Sequence, residues 1–118
     1  MHAIRIHTFG GPEVLRLEAV PDPEPGPGEV LVDLRAVGVN PVETYVRSGA
    51  YGPRPLPLVP GSDAAGVVAA VGPGVTRVAP GDRVYTGQTR TGAYAQRTVA
   101  PEAHVHPLPE TLTFAQGA

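Results

Sequence analysis

The stretch "EVLVDLRAVGVNPVETYVRSG", Glu29 to Gly49, carries two hydrophobic periods back to back. From Glu29 to Asn40 the residues alternate. Leu31, Asp33 and Arg35 oppose Val30, Val32, Leu34 and Ala36, which gives one apolar face and the longest strand candidate in the chain. At Asn40-Pro41 the period changes. Asn-Pro-x-Glu is a helix start, with Asn40 as N-cap, Pro41 at the first helical position and Glu43 at the third, and Gly49 as the stop. The Asn40 side-chain oxygen is expected to accept a backbone N–H of the first turn, leaving its NH₂ free to donate to a ligand. Val42 and Val46 form the i, i+4 apolar pair expected to pack the helix, with Tyr45 partly buried beside them. At about 100° per residue, Tyr45 points well away from Asn40. Tyr51 lies beyond Gly49, in a loop.

Outward from this stretch the chain is strand-rich. "HAIRIH" alternates, with His2, Ile4 and Ile6 on one face and Ala3, Arg5 and His7 on the other. "VLRLEAV" alternates again, and "PDPEPGPGE" is an extended surface connector. After the proline-studded loop "AYGPRPLPLVPG", the run "SDAAGVVAAVGPGV" reads as a strand ending in a Gly-Pro-Gly turn. There Gly66 marks a close backbone approach. "APGDRVYTG", "GAYAQRTVA" and "HVHPL" supply three more strands. Six or seven short strands between turn signals predict a mainly β domain, a barrel or sandwich with one or two short helices. The βαβ alternation of a nucleotide-binding fold is missing.

Composition narrows the function. At 118 residues the chain fits one domain with one modest core. Gly and Pro, 15 residues each, act as turn punctuation, because the 42% hydrophobic content is too high for a disordered chain. Nine arginines against eleven acidic residues leave a net charge of −2 and no basic stripe, so nucleic acid is not an expected partner. With no cysteine there are no disulfides, no thiolate metal sites and no cysteine nucleophile. No stretch approaches membrane-spanning length, and the chain reads as soluble and cytoplasmic.

Few motifs carry chemistry by themselves. "VPGSDAAG" is neither a phosphate cradle nor a nucleophile elbow. His104 and His106 alternate on a strand candidate and would share a face, but two imidazoles without a third ligand make solvated side chains the better reading. "TFAQGA" opens a helix, Thr113 capping it and Gln116 completing a capping box. It is either a frayed tail or the start of a helix that leads to another domain, and the second reading is preferred.

In order, "GVNPVETYVRSGAYG", "PLVPGSDAAGVVAAVGPGV", "PGDRV", "GAYAQRTVA" and "LPETLTFAQGA" resemble the medium-chain dehydrogenases/reductases. Within them the chain is similar to the zinc-independent quinone oxidoreductases, the ζ-crystallin-like branch, over nearly its whole length. The resemblance implies a GroES-like, partly open β-barrel: residues 1–112 as an incomplete catalytic domain and residues 113–118 as the start of the helix leading to a missing Rossmann domain. It also implies hydride transfer from NADPH to a quinone, without metal. Zinc-dependent relatives carry Cys where this chain has Asn40, and His-Glu where it has Ser62-Asp63, and Asn and Ser are poor zinc ligands. In the family the residues matching Asn40, Tyr45 and Tyr51 line the nicotinamide and substrate cleft. Carried over, Asn40 would orient the nicotinamide or donate to the acceptor oxygen, and Tyr45 and Tyr51 would supply ring surface and an O–H donor. Asn40 and Tyr45 are the residues implied for the cofactor. The resemblance further implies a homodimer for the full-length protein. The chain alone is expected neither to bind NADPH tightly nor to turn over, for it holds no glycine-rich turn for the pyrophosphate. The alternatives are an enoyl-thioester or alkenal reductase of the same superfamily, and a non-enzymatic co-chaperonin-like barrel.

Overall fold

The computed structural model describes all residues, 1–118. In chain order the elements are β1 (His2–Arg5), β2 (Arg16–Ala19), β3 (Glu29–Val37), α1 (Pro41–Ser48), β4 (Ala64–Val71), β5 (Arg83–Thr86), β6 (Arg97–Pro101), β7 (Val105–Pro107) and α2 (Phe114–Gly117). The expected mainly β chain is observed, with seven strands in two antiparallel sheets. One is the β1–β2 hairpin. The other has the order β6-β3-β4-β5-β7.

The alternating run at Glu29 makes β3 an interior strand of the larger sheet, paired with β4 on one side and β6 on the other. Val30 and Val32 are fully buried and pack with Val68, Val84, Ala100 and Val105 into a single core of small and β-branched side chains. Gly66 is the close approach the sequence indicated. A Cβ there would lie 2.0 Å from the Asp33 carbonyl oxygen, beside a register irregularity in the β3–β4 ladder.

Neither sheet is closed on itself, yet the larger one must curl. In a flat five-stranded sheet the edge strands stand about 19 Å apart. Here the edges, β6 and β7, are joined through a single 3-10 turn, Glu102–His104. The four Cα–Cα steps from Pro101 to Val105 span at most about 14 Å.

Two local expectations fail for identifiable reasons. In β1 the alternation would put Ile4 and Ile6 on one face. Instead Ala3 and Ile6 are buried and Ile4 is half-buried. The β1–β2 ladder ends at Arg5, and Ile6 changes partner, exchanging backbone hydrogen bonds with Leu58 at 2.9 and 3.1 Å. In α1 the buried residue is Glu43, 7% exposed, whereas Val42 is 39% exposed and Val46 half-buried. The helix therefore does not pack through a valine pair on the sheet. Polar contacts hold its ends: the Gly10 N–H donates to the Arg47 carbonyl at 3.0 Å, and Arg47 Nε donates back to the Gly10 carbonyl at 3.2 Å. Gly49 ends the helix at φ 83°, against the ring of Phe9.

The C-terminal turn is docked rather than frayed. The Thr113–Gln116 capping box forms in both directions, at 2.9 and 3.1 Å. Arg83 lies 4.6 Å from the centroid of the Phe114 ring and donates to the carbonyls of Pro109 and Leu112. A Cβ on Gly117 would meet a Leu108 methyl at 2.6 Å.

Candidate active site

The pairing of β3 with β4 sets the neighbourhood of Asn40. Val37 stands opposite Ala64, and the next N–H, that of Gly38, donates to the Asp63 carbonyl at 2.8 Å. The chain therefore leaves the sheet alongside residue 63 and turns into α1 two residues later. There Asn40 Nδ2 donates to Asp63 Oδ2 at 2.7 Å. The Asn40 amide is thus not wholly free, as the sequence suggested: one of its donors is taken. The cap also differs from expectation. The Asn40 main-chain N–H donates to Glu43 Oε2 at 2.6 Å, the strong half of a capping box, and the Asn40 side chain faces the Glu43 N–H in the other half without reaching full hydrogen-bond geometry. Asp63 takes the Nδ2 end of the amide and holds it toward β4, leaving the Oδ1 end to the first turn.

Tyr45 and Tyr51 come together. Their ring centroids are 6.0 Å apart with the planes at 62°, an edge-to-face pair across the helix C-terminus. Both stay open to solvent, at 51% and 60% exposure, so Tyr45 is less covered than its place beside Val42 and Val46 suggested. With Asn40 they account for the three residues singled out in the sequence. The structure pairs the tyrosines and ties Asn40 to Asp63.

None of the three lines the cleft of about 840 Å³ that is walled by Val42, Glu43 and Val46 of α1, by the proline loop around Pro57, and by residues near Arg90. Its volume suits a small molecule. Glu43 projects there from the helix, and its charge also reaches Tyr94. The Tyr94 phenol is raised above the usual tyrosine range, first by burial and then by the Glu43 carboxylate, with Arg47 opposing. The Tyr94 ring rests on Gly61, whose φ of 93° and missing Cβ make room for it: a Cβ would stand 2.6 Å from the ring. A second, apolar groove of about 360 Å³ runs between Ile4, Leu17, Val37, Val39 and Tyr94.

Sequence reasoning missed Glu43, Asp63 and Tyr94 as parts of this region. Glu43 is identified there only as a capping residue. Asp63 is legible only once β3 and β4 are placed in register. Tyr94 carries no local signal, since its neighbours are set by Gly61, 33 residues earlier in the chain. The histidine pair does not survive: His104 sits in the 3-10 turn, and His106 in β7 has its ring 5.2 Å from that of Tyr85. No three His, Asp or Glu side chains converge closely enough to hold a metal ion. No helix is long and apolar enough to cross a membrane.

Comparison with known proteins matches this geometry to a family. The alcohol dehydrogenase GroES-like domain profile fits residues 26–110. Quinone oxidoreductase of Mus musculus is 52% identical over the whole chain, and that of Homo sapiens 50%; the chain spans 36% of the length of each. Among solved structures, Escherichia coli quinone oxidoreductase complexed with NADPH superposes with a TM-score of 0.95 at 38% identity, over 99% of this chain and 36% of that one. With the profile running from the connector before β3 to just past β7, the chain belongs to the alcohol dehydrogenase GroES-like domain family.

Proposed function

We propose that the chain is the N-terminal catalytic-domain portion of an NADPH-dependent quinone oxidoreductase that works without zinc. In this reading the curled sheet and the β1–β2 hairpin form a partly open barrel. Residues 113–118 begin the helix toward a nucleotide-binding domain, and the full-length protein is a cytoplasmic homodimer. The observation that carries the reading is the Asn40–Asp63 hydrogen bond at the N-terminus of α1, the helix whose other end bears the exposed Tyr45–Tyr51 pair. Where zinc-dependent relatives need soft or imidazole ligands, this chain offers an amide bonded to a carboxylate, a poor cation site and a well-oriented polar one.

The residues fit the nicotinamide end of NADPH and not its pyrophosphate, for which the chain has no glycine-rich turn. When bound, NADPH supplies the hydride. Asn40 keeps its Oδ1 and one N–H for orienting the nicotinamide carboxamide or meeting the acceptor oxygen. The rings of Tyr45 and Tyr51 give a flat acceptor a surface to lie on, and their hydroxyls are donors for the oxyanion that develops as a quinone takes up hydride. A quinone needs close approach and a hydrogen-bond donor more than it needs a Lewis acid.

The test is NADPH oxidation by the full-length protein with a 1,4-naphthoquinone and with a 2-enoyl thioester, each with and without a strong chelator. The reading expects turnover with the quinone, unaffected by chelation. Turnover with the enoyl thioester alone, or loss on chelation, would replace it with an alkenal reductase or a metalloenzyme. A heptamer inert to both acceptors would favour the co-chaperonin-like alternative.

A further inference from the structure

Asp63 meets Asn40 at a point fixed by the sheet rather than by the helix. Its main-chain oxygen is held by the Gly38 N–H at 2.8 Å, and Ala64, the next residue, opens β4 in register with Val37. Gly38 leaves the space it needs, since a Cβ there would lie 3.1 Å from the Asp63 Cβ. From this place Asp63 Oδ2 accepts from Asn40 Nδ2 at 2.7 Å, while Glu43 grips the Asn40 main-chain N–H at 2.6 Å. Residue 40 is thus clamped at backbone and side chain by two carboxylates from different elements.

We infer that Asp63 is a positioning residue for hydride transfer, fixing which way round the Asn40 amide faces its ligand. The inference rests on the reading of Asn40 given above. A primary amide has nearly the same shape at both ends, and a half-turn about its last bond exchanges oxygen for NH₂. An ionised carboxylate accepts hydrogen bonds and donates none, so it meets Nδ2 and repels Oδ1. Only one of the two orientations keeps the contact. The charged acceptor also polarises the amide, making Oδ1 a stronger acceptor for whatever it meets. Asn40 then presents a defined face: Oδ1 and one remaining N–H.

Two measurements test this. The first needs no variant: the side-chain amide of Asn40 in the ¹⁵N–¹H spectrum of the chain. Asn40 is the only asparagine of the chain; a carboxylate-bonded amide moves one of its two proton resonances downfield of the position of a free asparagine side chain, and a pair at the free positions would overturn the inference. The second is a double-mutant cycle in the full-length protein with NADPH and a 1,4-naphthoquinone. Asn40→Ala and Asp63→Asn should each lower kcat about ten-fold, and the double variant should fall no further than Asn40→Ala alone, because Asp63 acts only through Asn40. Asp63→Glu, which keeps an acceptor-only group, should recover part of the loss. If Asn40→Ala lowers kcat while Asp63→Asn does not, or if the two losses multiply, the inference fails and the reading of Asn40 stands. If Asn40→Ala leaves kcat unchanged, that reading fails and the inference with it.

Discussion

The β3–β4 ladder and the α1 segment are adjacent in sequence and built on opposite principles. The ladder is held by apolar burial and close backbone contact: Val30, Val32 and Val68 are essentially inaccessible, and Gly66 lies directly against the Asp33 carbonyl. The helix has no apolar anchor of comparable depth. Its one buried side chain is a carboxylate, its ends are tied by hydrogen bonds to Gly10 and Asp63, and its aromatic rings face solvent. A ladder of this kind resists change, and a helix of that kind can be altered without unfolding the domain. The scaffold therefore carries the stability, and in the proposed reading the segment it launches carries the recognition.

The sharpest way to break this comparison is Gly66→Val. The new side chain has no room beside Asp33, and the expected loss is about 3 kcal/mol, read as a lower urea midpoint; an unchanged midpoint would mean that the ladder is not the rigid part. Next comes Glu43→Ala, which leaves the Asn40 N–H without its charged acceptor. A loss of about 2 kcal/mol is expected, with Glu43→Gln milder because an acceptor remains. Should Glu43→Ala melt with the unaltered chain, α1 is anchored in some other way. Tyr45→Phe and Tyr51→Phe should change stability by less than about 0.5 kcal/mol, as exposed sites do. In the full-length protein they should nevertheless lower quinone turnover by roughly ten-fold or more if the hydroxyls meet the acceptor oxygen.

The smallest effect concerns Glu102, in the turn between the two edges of the sheet. Backbone N–H groups of Arg77 and Thr76 hold its carboxyl below the usual carboxylate range. Because the folded-state value is the depressed one, this contact stabilises above the unfolded carboxylate pKa and is lost as pH falls through the folded value. Glu102→Gln should therefore melt slightly lower at pH 7 and lose less on acidification to pH 3 than the unaltered chain. Parallel melting curves for the two proteins across that range would remove the contribution.

Much of the ladder is legible in the sequence, because a period of two over Val30–Ala36 and a Gly in the partner strand are local signals. The helix boundaries at Asn40-Pro41 and Gly49 are legible for the same reason. What the helix does with its faces is not. Periodicity weighs apolar residues and so selects Val42 and Val46, whereas the inward residue is chosen by the hydrogen bond that Glu43 accepts from its own N-cap. Long-range partners are equally hidden: Asp63 reaches Asn40 across 23 residues, and Ile6 leaves its strand for Leu58. Asn40, Tyr45 and Tyr51 are chosen from residue chemistry and family resemblance. That the two rings would meet edge to face beyond the helix end is a product of the Gly49 turn.

In the proposed reading, hydride transfer takes place at Asn40 and the Tyr45–Tyr51 pair and not in the 840 Å³ cleft lined by Val42, Glu43 and Val46. A crystal structure of the full-length protein with NADPH decides this. The account predicts the nicotinamide ring within about 4 Å of the Asn40 amide and the Tyr45–Tyr51 pair. A nicotinamide seated instead against Val42, Glu43 and Val46, with both tyrosines left in solvent, would contradict it.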